Sequence, residues 1–499
     1  MVVFLSRYRS ITGFLALLAF GPLLRSQDNT QYFMHSLPEA IHTNPALYFG
    51  CKTYVELPVF SGISYSYANT GFGYHDAMHY GSGSNADSLI IDVDNLDRKL
   101  KNRNYIRNDE AVTLLGAGFE ILEKYYVHFN ISNLTSTRIG IPGDLVSLKD
   151  GNWDIDASQP REIDLSGLGV NGINYFRVSA GVSTELRKGL YVGITLKYLK
   201  GTADIRSQRT NLTIETEGDP IRVRASTDYS VRTSFPMQLE FDNQGFVSSI
   251  DLSRSFDNIA GDFILNKNNG GAIDLGVIYE YDEKLTLAGS ITDLGLIRWG
   301  SNIHRFNANA AVDFRGFDLR AYAASGGSTD FFQALVDSVA ESFQFGSGEK
   351  PYWTPLSPAL YAGASYLLHP KIRVSGLLKT EFYDRRPHPS LTLAGMYSPF
   401  SFLHGTLSYS IMNNKLFQLG FGLAVGGPGA QFYLVSDHIP WRWVRDTGTG
   451  AIWPYNARTA NLRFGINLVF GCQERNRGIY RYTHPPNPRK PSRYCPAYR

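Results

Sequence analysis

Eleven histidines and three cysteines carry the widest chemical repertoire in this 499-residue chain, and their spacing decides what they can do. Only His75 and His79 stand four apart, the separation that puts two imidazoles on one helix face for zinc. They lie in the glycine-rich stretch GFGYHDAMHYGSGSN, which is no obvious helix and offers no glutamate beside His75 as a base. A solvent-facing pair is the expectation. His128, Asn130 and Ser132 alternate along one side of a strand-like segment. Side chains two residues apart on a strand do not by themselves make a preorganised triad, so no catalytic site is expected from them. The sequence has no phosphate-binding loop, no cysteine and histidine zinc pattern and no calcium repeat. The expectation is a protein that is not an enzyme and needs no metal and no cofactor.

What remains is charge placed on one side of strands. From Tyr175 to Leu186, the residues Phe176, Val178, Ala180, Val182, Thr184 and Leu186 share one face, and Tyr175, Arg177, Ser179, Gly181, Ser183 and Glu185 share the other. Arg187-Lys188-Gly189 then makes a turn, and Leu190, Val192, Ile194, Leu196 and Tyr198 resume the apolar face opposite Gly193, Thr195 and Lys197. Segments of about ten residues with this alternation are what a tilted strand needs to cross hydrocarbon. The wettable face then lines a lumen, where Arg177, Glu185, Lys197, Asp274 and Glu280 mix both signs. Opposed charges in a confined interior pair with one another rather than line an ion path.

The same alternation marks strands near 59–67, 111–122, 125–134, 175–186, 190–199, 272–281, 285–294, 359–367, 371–382, 390–397, 403–412, 416–425, 430–436 and 461–470. The fold expected is all-β, a transmembrane antiparallel β-barrel of about fourteen strands. Residues 303–314 and a hairpin of 211–216 with 221–232 leave sixteen as the alternative. Short connections alternate with long ones, so both ends of the barrel belong in the periplasm of a Gram-negative bacterium and the long loops outside. In one long loop, Phe331, Leu335, Val336, Val339 and Phe343 stand at helical spacing after Asp330, which predicts a short amphipathic helix. The composition agrees with a β protein, with 13% aromatic residues, 48 glycines and only 19% charged residues. A net charge of +3 gives no reason to expect nucleic acid.

The chain divides into a secretory leader over 1–26, a segment over 27–52 available to fill the lumen as a hatch, the barrel over 53–471, and a tail over 472–499. The leader shows Arg7 and Arg9, an apolar run from Ile11 to Leu24, and Arg25-Ser26-Gln27-Asp28 at the junction. The tail is basic and rich in proline, which cannot build a core, and is expected as an extended periplasmic arm open to a protein partner or acidic lipid. If the barrel closes, Cys51 before the first strand and Cys472 after the last meet at the periplasmic rim, where a disulfide would staple the seam. The alternatives are free thiols or a Cys472–Cys495 bond. The last strand alternates Leu462, Phe464, Ile466, Leu468 and Phe470 with polar residues, a terminal aromatic pattern that resembles the signal read by outer-membrane assembly machinery.

The stretches LPEAIHTNPALYFGCKTYVELP, GGAIDLGVIYEYDEKLTLAGSITDLGLIRW and AQFYLVSDHIP resemble a Bacteroidota family of outer-membrane barrels of unknown function. More distantly the chain resembles the long-chain fatty-acid transporter (FadL-like) barrels and the type IX secretion barrels of the PorV and PorP/SprF kind, through Asn44-Pro45-Ala46 and the hairpin that carries Asp274-Leu275-Gly276. The resemblance implies that Asn44, Pro45 and Ala46 turn the chain from a lumenal hatch into the first strand. It further implies passive uptake of a hydrophobic or amphipathic small molecule past that hatch, in contact with outer-membrane lipid. The alternative function is a barrel that serves secretion or envelope assembly as an interaction protein, since the basic tail departs from the transporter pattern.

Overall fold

The computed structural model describes residues 29–48, 51–80, 89–122, 124–147, 153–154, 159–160, 162–217, 222–241, 247–251, 260–314, 343–347, 350–383, 386–412, 416–439, 443–445, 452–454 and 458–472. The leader, the tail beyond Cys472 with Cys495, and the helix expected from Asp330 lie outside them, except that Phe343 opens a short strand.

Nineteen strands matter to the architecture. In chain order they are β1 (Cys51–Glu56), β2 (Ile63–Asn69), β3 (Arg103–Ile121), β4 (Tyr125–Pro142), β5 (Gly169–Arg187), β6 (Leu190–Glu217) and β7 (Arg222–Ser234). There follow β8 (Asn269–Glu280), β9 (Leu285–Trp299), β10 (Ile303–Phe314), β11 (Phe343–Ser347), β12 (Tyr352–Pro355) and β13 (Ala359–His369). The series ends with β14 (Ile372–Tyr383), β15 (Arg386–Phe400), β16 (Leu403–Met412), β17 (Leu416–Gly426), β18 (Gly429–Ser436) and β19 (Thr459–Cys472).

Around the ring each stave pairs antiparallel with the next, β6 passing directly to β8 and β9 to β12 and β13, and β19 returns to pair with both β1 and β2, so the sheet closes. Because β1 and β2 occupy one place in the ring, as do β12 and β13, the ring has fourteen staves. The three surplus strands explain the ambiguous segments. β6 runs for 28 residues, far beyond the roughly ten a tilted strand needs to cross a bilayer. Its distal half pairs with β7, β7 with β10 and β10 with β11, which makes a sheet above the long-loop end and outside the closed ring. The sixteen-strand alternative is thereby set aside.

The alternation has the physical cause expected for a wall between two solvents. On β14, Arg373, Ser375, Leu377 and Lys379 are buried while Ile372, Val374 and Leu378 are exposed. On β4, Tyr126, His128, Asn130 and Ser132 are buried and Tyr125 and Phe129 exposed. Exposed leucines and aromatics continue around the outside, through Leu360, Leu393, Leu407, Leu419 and Phe432. A closed ring with polar side chains inside and an apolar belt outside is the form of a transmembrane β-barrel, since closure leaves no unpaired edge in hydrocarbon.

The first stave starts earlier than its periodicity indicated, at Cys51, and is broken between Glu56 and Ile63. Pro58 cannot donate to a ladder, and Val59 takes a positive φ of 66°. The neighbouring staves keep their bonds through Val59 N to Thr113 O and Ile466 N to Phe60 O, each 2.9 Å.

Candidate functional site

The interior is occupied by a segment that precedes the first stave. Residues 29–48 are almost all buried, and their hydrogen bonds go to inward side chains on staves all around the ring. Asn29 Nδ2 donates to Thr392 Oγ1 at 3.0 Å, and Thr30 N donates to Asp437 Oδ1 at 2.7 Å. The Thr30 hydroxyl also donates to Asp437 and lies 2.6 Å from Ser408 Oγ. Farther along, Gln431 Nε2 donates to Ser36 O at 2.9 Å, Ser290 Oγ to Thr43 O at 2.6 Å and Ser183 Oγ to Leu47 O at 3.3 Å. Helical structure is limited to one turn at Asn29–Tyr32 and a 3₁₀ segment at Pro38–His42, where proline starts the turn.

Asn44, Pro45 and Ala46 sit against β6, β8 and β9. Asn44 Oδ1 accepts from Ala46 N at 3.0 Å, an Asx-type turn, and its amide lies 3.4 Å from Val277 O and 3.5 Å from Gly289 O. Two inward glycines make room. A Cβ at Gly193 would collide with the Pro45 carbonyl, and one at Gly276 with Asn44 Oδ1. The chain then passes Tyr48, whose hydroxyl donates to Glu120 at 2.8 Å, and reaches the rim, where Cys51 faces Cys472 in register and is disulfide-bonded to it.

Two of the five lumenal charges named from sequence, Lys197 and Asp274, meet inside the barrel and are joined by Asp293. Lys197 Nζ lies 2.6 Å from both Asp274 Oδ2 and Asp293 Oδ1. A register shift in the β8 and β9 ladder and a positive φ of 57° at Asp293 turn that carboxylate inward, which strict alternation does not anticipate. Arg177 donates through Nε to Ser132 Oγ at 3.2 Å. Glu185 instead accepts from Gly189 N at 2.9 Å, so it caps the β5 and β6 turn, and Glu280 stands at the corresponding end of β8. His128, Asn130 and Ser132 are spent on structure, with His128 bound to Thr195 at 3.0 Å and Asn130 donating to Glu56 at 2.6 Å. His75 lies on the one-turn helix Tyr74–Ala77 and His79 beyond its end in Met78–Tyr80, so they share no helix face.

Sequence reasoning missed the acid on the lumenal segment itself. Glu39 accepts from Asn467 Nδ2 at 2.7 Å, while its Oε2 is buried without a hydrogen bond. Burial, reinforced by the Glu56 carboxylate, pushes Glu39 up to about 8. Burial, helped by Arg373, pulls His35 down to about 3, and burial with Arg177 next holds His42 well below the ordinary histidine range. The Pro that opens the turn beside Glu39 was the one local signal for the acid's placement.

Above this segment lies a cavity of about 620 Å³. Its wall combines Tyr175, Tyr361 and Leu356 with Arg177, Asp293 and Lys379. Such a chamber offers an apolar surface and fixed charges to the same guest.

A model described as a family of unknown function matches residues 45–437 of the chain. No curated relative matches it. Among solved structures, the chain is similar to the Ralstonia pickettii toluene transporter TbuX, at TM-score 0.40 and 8% identity over 87% of this chain and 94% of that one. It is also similar to a Pseudomonas aeruginosa FadL homologue, at 0.40 and 9% over 91% and 100%, and to the Pseudomonas putida toluene transporter TodX, at 0.36 and 9% over 86% and 91%.

Proposed function

The chain belongs to that family, DUF5723, and we propose that this barrel is a passive outer-membrane channel for a small amphipathic molecule, with residues 29–48 as its displaceable hatch. The observation that carries the reading is the chamber of about 620 Å³ enclosed by the barrel wall directly above the lumenal segment. Its mixed lining favours a guest with both an apolar body and a polar group over a pure hydrocarbon.

The hatch is held by scattered hydrogen bonds and small apolar contacts rather than by a ladder. Such contacts are individually worth about 0.5–1.5 kcal/mol each, so a segment of this kind can leave in part while the closed ladder stays intact. Asn44 to Ala46 form the corner at which the segment joins the wall, and the Cys51–Cys472 bond fixes the point beyond which displacement does not propagate.

The test is uptake of a fluorescent amphiphile into proteoliposomes. Thr30→Cys with Ser408→Cys, cross-linked across a pair whose hydroxyl oxygens now lie 2.6 Å apart, ties hatch to wall. Uptake should stop on cross-linking and return on reduction, with reduced wild type as the control. Equal uptake by the tied and untied forms would overturn the proposal.

A further inference from the structure

The top of the chamber holds a contact that ring order does not predict. Arg107 lies on β3, the second stave, and Glu381 on β14, the ninth, so in a round barrel of fourteen the two would stand a full diameter apart. Instead Arg107 Nη2 lies 2.8 Å from Glu381 Oε1, while its Nε lies 2.8 Å from Asp109 Oδ2 on its own strand. The guanidinium also lies 4.8 Å from the centre of the Tyr383 ring, and Arg138 of β4 approaches the same ring at 5.7 Å and Tyr105 at 5.0 Å. His388 stacks on the Tyr383 ring with 3.5 Å between ring centres, and Ser136 Oγ donates to Asp109 at 2.5 Å.

These groups lie near the extracellular ends of their strands: Glu381 is two residues before the end of β14, and Arg107 precedes the lumenal run of β3. Arg107, Asp109, Arg138, Glu381 and Tyr383 all border the chamber. No backbone ladder joins β3 to β14 among the described residues. The link between opposite walls is therefore made by side chains.

We propose that the Arg107–Glu381 bridge, backed by Tyr383 and Arg138, is a strap across the mouth, a gate separate from the lumenal segment that a guest must part before it reaches the chamber. A side-chain strap suits that task because it opens by rotamer changes on a fast timescale and leaves the wall untouched. Arg107 keeps Asp109 as a partner when Glu381 swings away, so opening does not strand a buried guanidinium.

The experiment measures entry alone. Ser64→Cys places a thiol in the chamber, in a Cys495→Ser background with the Cys51–Cys472 bond oxidised, and intact cells are exposed to a bulky maleimide that cannot cross the outer membrane. Arg107→Ala and Glu381→Ala should each raise the labelling rate at least tenfold, and the double variant should label no faster than either, because one bridge can be broken only once. Rates equal to the parent, or a double variant showing the product of the two single effects, would overturn the strap. Labelling is scored on the folded, heat-modifiable fraction, and Glu381→Gln, which removes charge while keeping shape, carries the same criteria if an alanine variant fails to fold. Entry is read without any transport, so the strap and the uptake reading fail separately.

Discussion

At Gly193 and Gly276 a missing side chain has a structural role, because Asn44 and Pro45 of the lumenal segment rest against bare backbone there. Gly193→Ala puts a methyl into the Pro45 carbonyl, and the segment must give way because the other partner is the barrel wall. Overpacking of this kind costs about 1–3 kcal/mol, so protease access to residues 38–48 should rise while the barrel's unfolding midpoint hardly moves. Glu39 adds a pH dependence whose sign is opposite to that of a salt-bridged acid. Its folded value of about 8 stands above the ordinary glutamate value of 4.5, so between those limits the seated form binds more protons than the released form. Seating is then strongest at low pH and weakens as pH rises from about 4.5 to 8, against a surrounding set of Glu56, His42, Arg177 and Arg463. Protection of residues 29–48 measured by hydrogen exchange should fall across that window in wild type and stay flatter in Glu39→Gln.

The strands were legible because bilayer and lumen impose opposite demands on successive side chains, and each of the fourteen staves repeats that demand over ten residues or so. The lumenal course of residues 29–48 was legible only by their place before the first strand, since a segment touching polar wall on all sides has no period. The Arg107–Glu381 contact had no sequence signal at all, because partners 274 positions apart on opposite walls meet only through the shape of the whole. The Lys197 site was half visible: alternation gave Lys197 and Asp274, and the bulge that recruits Asp293 breaks the rule by which the others were found. Alternation also failed at the first stave, where it ran a strand through Val59. A β-branched residue in the left-handed region costs roughly 1–2 kcal/mol relative to glycine. Val59→Gly should therefore raise the unfolding midpoint modestly, by a few degrees or less, in a thermal scan of the detergent-solubilised barrel. A drop would mean that Val59 contributes more through lipid contact than it loses to backbone strain.

For the whole molecule, stability depends on which solvent meets which face. Leu393 is 60% exposed on the outer wall and Thr392 beside it is wholly buried within. Leu393→Arg should cost about 2–4 kcal/mol if that residue sits near the bilayer midplane, read by urea unfolding in vesicles. The same substitution tested in detergent micelles should cost less, because a micelle deforms around a guanidinium more readily than a bilayer does. An equal penalty in both would place Leu393 away from hydrocarbon.

The Cys51–Cys472 bond also decides by which route residues 29–48 can leave the ring. The polypeptide emerges with residues 29–48 ahead of every stave, yet these residues end up encircled by all of them, and the stave that shuts the ring is the last one made. The wall side chains Asp437 and Gln431 that bind this segment come from the end of the chain opposite to it, so its seat is complete only when the ring is. With first stave and last tied by the thiol bond, the segment has only the two open ends of the cylinder as exits and none sideways through the seam.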